Sequence, residues 1–577
     1  MTYEGLKAFH KTYYHPSNAY FILYGDIPTK DYLTFLSDKL AGFDRQHIQP
    51  DFHRQPRWDQ ARLIEDVYPV GRDESLEKKT YLAMQWLTGD ATDPEEVILM
   101  RILNLILLGN EGAPLKKAIV DSKLGSDLIW SGGSSAGLEG TFGVGIKGSE
   151  QDQMAAFANL IKETLVEISD REIEKVRVEA AFQQAAYSYL EISETFPLTV
   201  LRRVLNAWIF DQDPLTFLRM KAHLSACRER WEAEPDVFNR LIRERLLDNP
   251  HRLDLILRPD SKLQARLDEA FETRMKDKRA QLTDEQMMQM AQDAEALDRL
   301  SGQPNSPEAL ASLPQLTVGD LPDQLTHVST RVETLNGADL LRNDVPANGI
   351  SYLVLNFDLR GLPEDLWTYL PRYSEAIRKL GAAGMDYEAM AHRIAANTGG
   401  ISCRLIFTSH GTDPDRSLLG LQFSLKTLDE QIVPALGVLG DLLFEVNPRH
   451  ADRLRDVLGQ SLARYRTGMV HEGANTAYYH AGRGLNLEAY LSEMVNGLPQ
   501  LDLCEQLSEG FEAGQDDLMG KIEAIRDFIL NRGRVTASFT GSDGAFQSVR
   551  EVLSNWMDRM EDTPIVDCPV GFMPLHP

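Results

Sequence analysis

Residues 80–109, TYLAMQWLTGDATDPEEVILMRILNLILLG, decide the fold, because they join an apolar strand, a turn and an apolar helix in one run. Proline and glutamate in the first helical turn, and glycine after the last, are typical helix boundaries. Residues 351–381, SYLVLNFDLRGLPEDLWTYLPRYSEAIRKLG, repeat this order with proline, glutamate and glycine in corresponding places. The match predicts that the chain contains one type of α/β unit twice.

The elements that follow each run also correspond. Each run is followed by a short helix, a glycine-interrupted strand and two long helices, predicted at 114–120, 137–148, 152–168 and 172–192, and again at 387–396, 417–427, 430–444 and 450–465. A repeat of this length indicates similar domains, since solenoid repeats are much shorter. We therefore predict an α/β (α+β) fold, with repeated units of a mostly antiparallel sheet packed by helices.

A helix–turn–strand–helix ending occurs three times, with its strand at 19–25 (AYFILYG), 252–260 (RLDLILRPD) and 534–543 (RVTASFTGSD). The second and third copies close the two complete units, but nothing precedes the first. A lone strand cannot form a sheet or bury a core. We therefore expect the chain to begin near the end of a domain whose front is missing.

The segment between the two units is strongly helical. Residues 261–300 contain almost no glycine or proline, and Thr283 with Gln286 fits a capping box that would start a second helix. This pattern predicts an antiparallel helical hairpin, followed by the polar linker SGQPNSP at 301–307.

Composition restricts the partners. Sixty basic and 86 acidic residues give a net charge of -26, which is the wrong sign for binding nucleic acid or an anionic membrane. Cationic peptides would be attracted at long range, although acidity also simply keeps a large protein dissolved. The most apolar stretch, at 433–446, is interrupted by Asp441 and too short to span a bilayer. We expect neither nucleic-acid nor membrane partners.

Cysteines and the N-terminal sequence bear on the compartment. The four cysteines are far apart and form no CxxC pair: Cys227, Cys403, Cys504 and Cys568. That spacing favours a reducing compartment over a disulfide framework or a cysteine zinc site. Residues 1–11, MTYEGLKAFHK, lack the basic and apolar regions of a signal peptide.

No catalytic metal motif is found in the sequence. A hydrolytic zinc site would need HExxH or the inverted HxxEH, and none of the thirteen histidines satisfies either pattern. His10 and His15 lie on different faces near a helix end, which favours capping or packing. We expect His471 and Glu472 to be surface residues, and His480 to be a structural histidine.

The glycine-rich run WSGGSSAG, residues 130–137, raises the question of a phosphate loop. It has no GK[ST] and is followed by a strand, so a strand edge or a close backbone approach is the better interpretation. Ser134 and Ser135 lack a nucleophile-elbow context, and the carboxylates at Glu191 and Glu194 define no acid–base pair. An extended peptide could add to such an edge as an extra strand, but an ordinary edge strand fits equally well.

Several segments together resemble one family. The stretch TYEGLKAFHKTYYHPSNAYFILYGDIP at 2–28 is similar to the end of the first domain of the presequence proteases, a branch of the pitrilysin and insulysin zinc metallopeptidases. The resemblance continues through APLKKAIVDSKLGSD, LPEDLWTYLPRYSEAIRKLGAAGMDYE and YYHAGRGLN, and covers essentially the whole chain. Such enzymes have four similar α/β domains, and their two halves close around a chamber that digests unfolded peptides.

The resemblance implies a specific domain arrangement. We predict the tail of a truncated first domain at 1–45, a linker at 46–60, a second α/β domain at 61–260, a hairpin linker at 261–312, a third α/β domain at 313–560, and at 561–577 a linker towards a missing fourth domain. The family's zinc ligands and substrate-fixing residues lie outside the matched region. No catalytic, metal or substrate-binding residue is therefore assigned in this chain, and it needs no cofactor of its own.

Two functions remain open on this basis. The first is a non-catalytic piece of a zinc metalloendopeptidase, inactive alone, which forms chamber wall and hinge and whose partners are peptide substrates and the missing first and fourth domains. The alternative is a naturally truncated homologue that binds peptides or pairs with an active subunit. The resemblance places either protein in the bacterial cytoplasm or the mitochondrial or plastid matrix.

Overall fold

The computed structural model describes residues 2–48, 52–134, 137–321, 324, 327–413 and 416–566. The strands are β1 Arg62–Pro69, β2 Thr80–Asp90, β3 Asp127–Ser134, β4 Glu139–Ser149, β5 Arg252–Asp260, β6 Thr330–Leu335, β7 Ala338–Asn343, β8 Ile350–Asp358, β9 Gly381–Ala382, β10 Gly400–Ser409, β11 Ser417–Leu428, β12 Val446–Asn447 and β13 Val535–Thr540.

The helices outside the second half of the chain are α1 Tyr3–Tyr13, α2 Thr29–Leu40, α3 Pro94–Leu108, α4 Pro114–Ser122, α5 Met154–Asp170, α6 Lys175–Leu190, α7 Phe196–Trp208, α8 Met220–Ala233, α9 Val237–Ile242, α10 Leu263–Gln281, α11 Asp284–Gly302 and α12 Pro307–Ala311. Those that follow are α13 Leu370–Lys379, α14 Tyr387–Asn397, α15 Ile432–Glu445, α16 Ala451–His471, α17 Gly473–Gly482, α18 Leu487–Asn496, α19 Leu498–Glu509, α20 Phe511–Ile529 and α21 Asp543–Arg559.

The two large sheets have the same topology. The first has the strand order β1-β5-β2-β4-β3, and the second has β10-β11-β8-β13-β7-β6. Strands β7, β13, β8, β11 and β10 thus correspond to β1, β5, β2, β4 and β3, with β6 added at one edge. The pairs β1–β5 and β7–β13 are parallel, and the other pairs in these two sheets are antiparallel. The predicted α/β fold of duplicated, mostly antiparallel units is confirmed.

Each sheet has its own apolar core. We call residues 62–260 the first unit and residues 330–559 the second unit. In the first, β2 alternates inward, with Leu82, Met84 and Trp86 buried against α3 and α5. In the second, Leu353, Leu355 and Phe357 of β8 occupy the same position. Period-two burial on a strand places every second side chain in the core.

The helix boundaries follow the local sequence. Asp93 caps α3 by accepting the Glu95 N–H at 2.9 Å, and Pro94 occupies the first turn, as predicted. The corresponding stretch of the second unit differs, because Glu364–Tyr369 is a 3₁₀ helix and α13 begins only at Leu370. Pro371 lies in the first turn of α13, where its missing N–H costs no hydrogen bond.

The first predicted strand does not form. Helices α1 and α2 and the turn at Pro16–Asn18 lie where expected, but residues 19–25 pair with no other strand among the described residues. A strand needs a partner for its backbone groups. No residue of α1 or α2 is buried, and large apolar side chains there are at least half exposed: Leu6 50%, Phe9 54%, Tyr24 59%, Leu33 60% and Phe35 60%.

The two units are connected by the predicted pair of long helices. Helices α10 and α11 are separated only by Leu282 and Thr283, and Thr283 and Gln286 form the predicted capping box. Neither helix contains a buried residue. This connection is therefore exposed along its length, unlike the cores on either side.

Three cysteines fall within the described part of the chain, and they are buried free thiols: Cys227, Cys403 and Cys504. Burial raises the pKa of Cys227 to about 12, so this thiol stays protonated at neutral pH. Cys568 lies outside the described residues. Within the described ranges, every helix is too short or too polar to cross a membrane.

Candidate functional site

The histidines singled out in the sequence have structural contacts. His15 Nδ1 accepts the Ser17 N–H at 3.1 Å and so caps the turn, while the His10 ring stacks on Tyr14. His480 Nδ1 lies 2.9 Å from Oε1 of Glu493, a carboxylate that is otherwise buried. These contacts confirm the capping, packing and structural roles predicted for them. His471 and Glu472 are exposed, as predicted.

The described residues contain no group of three or more histidine, cysteine, aspartate or glutamate side chains placed to hold a metal ion. The glutamates at 191 and 194 also form no acid–base pair, because Glu191 Oε2 accepts an ion pair from Lys426 Nζ at 2.7 Å. The donor set of this part of the chain does not fit a zinc centre.

The glycine-rich run instead forms an open strand edge. Residues 127–134 are β3, which lies at the edge of the first sheet and pairs with β4 alone. Gly132 has φ +123°, and a Cβ there would lie 3.0 Å from the amide of Asn104 on α3. Glycine is therefore required by both the backbone conformation and the close approach. The strand-edge prediction is confirmed; Ser135 lies outside the described residues.

A second feature, which the sequence did not indicate, is a charged contact between the two units. Four ion pairs join them, with each unit supplying both acids and bases: Lys117–Glu388 at 3.1 Å, Lys426–Glu191 at 2.7 Å, Arg453–Glu111 at 2.8 Å, and Lys123–Asp456. Such pairs join residues hundreds of positions apart, so only the folded chain identifies them.

Glu111 lies at the centre of this contact. Burial alone would raise the pKa of the Glu111 carboxyl, but Lys116 at 2.9 Å and Arg453 at 2.8 Å lower it to about 2. Arg453, whose side chain is only 3% exposed, also donates to the Lys379 carbonyl and lies over the Tyr387 ring. The charge of Glu111 is thus buried and fully compensated.

Helices α6 and α14 complete the contact. Gln184 Nε2 donates to the carbonyl oxygens of Ala395 at 2.8 Å and Thr398 at 2.6 Å, near the end of α14. The Leu428 N–H donates to the hydroxyl of Tyr187, which is 2% exposed. Backbone groups at the end of α14 are therefore satisfied by side chains of the other unit.

Comparison with known proteins gives consistent matches. Residues 1–185 match the family model described as peptidase M16 inactive domain, and residues 257–507 match the model of the region associated with subfamily C of the same peptidases. The chain is 28% identical over 575 residues to presequence protease 1, chloroplastic/mitochondrial, of Arabidopsis thaliana, covering 98% of this chain and 53% of the relative. It is 24% identical over 560 residues to protein HypA of Clostridium perfringens, covering 96% and 56%.

Among solved structures, the ferredoxin protease FusC in complex with Arabidopsis ferredoxin overlays at a TM-score of 0.40 with 12% identity, over 99% of this chain and 59% of that one. That value is too low to bear on the fold. The sequence matches span about half the length of the curated relatives. The two family models together cover most of the chain, and the chain therefore belongs to the M16 peptidase family, within which it resembles the presequence proteases.

Proposed function

We propose that this chain is the non-catalytic part of a zinc metalloendopeptidase that degrades short unfolded peptides. Its similarity to presequence protease 1 extends over 98% of the chain but only 53% of that relative, which leaves room for catalytic residues elsewhere in the whole protein. The described side chains do not fit a zinc site, so we assign no step of hydrolysis to them. By itself the chain binds peptide without cleaving it.

The observation that carries peptide binding is the open edge of β3. No strand among the described residues pairs with its outer side, so its backbone N–H and C=O groups on that side are available to an extended peptide. Helix α16 of the second unit approaches β3, where Lys147 Nζ lies 3.2 Å from Thr467 Oγ1. A peptide on this edge would lie beside the contact between units, as a chamber wall requires.

The contact between the units supports a hinge. It is made of ion pairs and side-chain hydrogen bonds, whereas the two apolar cores are separate. Polar contacts of this kind suit reversible association better than large apolar ones do. Helices α10 and α11 keep the two units connected if the contact opens.

The exposed apolar side chains of residues 3–43 would pack against the remainder of the first M16 domain. Leu6, Phe9, Leu33 and Phe35 are each at least half exposed, a concentration that marks an interaction surface. The same surface would serve the alternative function, in which the chain is a non-catalytic subunit that pairs with a separate active chain. The names and sources of its relatives support placement in a bacterial cytoplasm or an organelle matrix.

A lysine at the strand edge tests the binding role. Ile129 lies on β3 and is 41% exposed. We expect Ile129→Lys to weaken binding of a neutral, unstructured fluorescent peptide about tenfold, as expected from losing one or two backbone hydrogen bonds, because edge charges oppose strand addition. Fluorescence anisotropy measures the dissociation constant.

Leu418 provides the matched control. It is also 41% exposed on a strand, but β11 lies inside the second sheet, between β10 and β8. Leu418→Lys should leave peptide affinity unchanged. Equal weakening by both substitutions would show that peptide does not bind at the β3 edge.

A further inference from the structure

A cavity of about 230 Å³ opens at one end of the first sheet, next to the open strand edge. Its wall includes the end of β2, the start of β4 and Gly133 of β3, and it is completed by side chains of α3, α6 and α7. A peptide that follows β3 would therefore reach the cavity without leaving the sheet.

The cavity carries positive charge that the protein does not balance. Its two carboxylates each have an arginine partner: Arg54 Nη2 lies 2.7 Å from Asp90 Oδ2, and Arg245 Nη2 lies 2.6 Å from Glu96 Oε1. Two further arginines, Arg101 and Arg203, also line the cavity. Neither forms an ion pair with any residue that the structure describes. An anionic group in the cavity would supply the missing partner.

The surroundings of Arg203 would strengthen such a pair. Its guanidinium lies 5.5 Å from the centre of the Tyr189 ring, and burial lowers the pKa of Arg203 and raises that of Tyr189. Both shifts indicate a partly dehydrated site. A guanidinium with little water around it forms short, paired hydrogen bonds with a carboxylate.

The remaining wall combines apolar and amide groups. Val97, Met100, Phe217 and Met220 present apolar surface, and Asn104 Oδ1 is buried with no hydrogen-bond partner among the described residues. An apolar body, a carboxylate and an N–H donor on one ligand would match these three features. A peptide's last residue has all three.

We propose that this cavity binds the C-terminal residue of a peptide, with its α-carboxylate at Arg101 and Arg203 and an apolar side chain against Phe217 and Met220. The assignment rests on the proposed binding of peptides along β3. The net charge of -26 repels anions at long range, so a preference for a free carboxylate would have to come from this local pair of arginines.

Two peptides that differ only at the C-terminus test the proposal. Both are neutral in sequence, end in leucine and carry an N-terminal fluorophore; one has a free carboxylate and the other an amide. We expect the free acid to bind this chain at least about tenfold more tightly, in line with charge-assisted hydrogen bonds. Arg101→Gln and Arg203→Gln should each abolish that preference.

Two controls make the result specific. Arg202→Gln should keep the preference, because Arg202 is exposed on the same helix and its Nε donates to the Leu198 carbonyl. Arg203→Lys should retain part of it, which separates lost charge from a misfolded variant. Equal affinity for acid and amide would overturn the cavity assignment while leaving binding along β3 intact. Failure of both peptides to bind would overturn the cavity assignment and the proposed function together.

Discussion

Arg453→Met is expected to weaken the contact between the two units by about 3 kcal/mol, the lower end of the cost of breaking a buried ion pair. Methionine retains most of the volume but leaves the Glu111 carboxylate buried with Lys116 as its remaining cation. The contacts of Arg453 with the Lys379 carbonyl and the Tyr387 ring would be lost as well. Backbone amides of α4 and α14 should then exchange with solvent deuterium about a hundredfold faster.

Arg455 is the matched control for this substitution. It lies on the same helix, but its guanidinium pairs with Glu512 and stacks on Phe511 within the second unit. Arg455→Met should leave exchange in α4 and α14 unchanged. In the double variant Glu111→Leu, Arg453→Met, apolar packing replaces the charges and should restore much of the protection. Unchanged exchange in Arg453→Met would contradict a contact held by this pair.

Acid is expected to open the same contact. The Glu111 pKa of about 2 in the folded chain compares with an ordinary value of 4.5, so above pH 4.5 the carboxylate is ionised whether the contact is closed or open. As the pH falls from 4.5 to 2, the open form takes up a proton that the closed form refuses. The contact should lose about 3 kcal/mol over that interval.

Fluorescence energy transfer between dyes on the two units can follow this opening. Val176 and Val433 are exposed at 60% and 56%, and Val176→Cys with Val433→Cys would carry the dyes in a Cys568→Ser background. Other carboxylates of the contact also titrate, so the informative quantity is the difference from Glu111→Gln. That variant should lack the Glu111 contribution between pH 4.5 and 2, and superimposable acid profiles would contradict the assignment.

The sequence predicted the features that depend on local patterns. Alternating apolar residues at 80–87 and 351–357, Pro94 before α3, and the Thr283 capping box each require only near neighbours, and the structure contains all of them. The strand predicted at 19–25 failed because its apolar sequence has no pairing partner among the described residues. Local pattern predicts a strand's tendency, whereas its formation needs a second strand.

The candidate sites were less accessible to sequence reasoning. The glycine run at 130–137 indicated an edge strand, since its residue types restrict the backbone directly. Nothing local relates Glu111 to Arg453, or Arg101 to Arg203, because the first pair is joined across the two units and the second across two helices. Arginine is common on helix surfaces, and the meaning of these four residues depends on which charges the fold brings near them.

The most direct test of the central claim is to measure zinc content and cleavage of a quenched, unstructured peptide by this chain alone. We expect no bound zinc and no chelator-sensitive turnover, while the same peptide binds without being cut. Stoichiometric zinc with turnover that a chelator abolishes would contradict the account and would require a metal site among residues that we assign to the chamber wall and hinge.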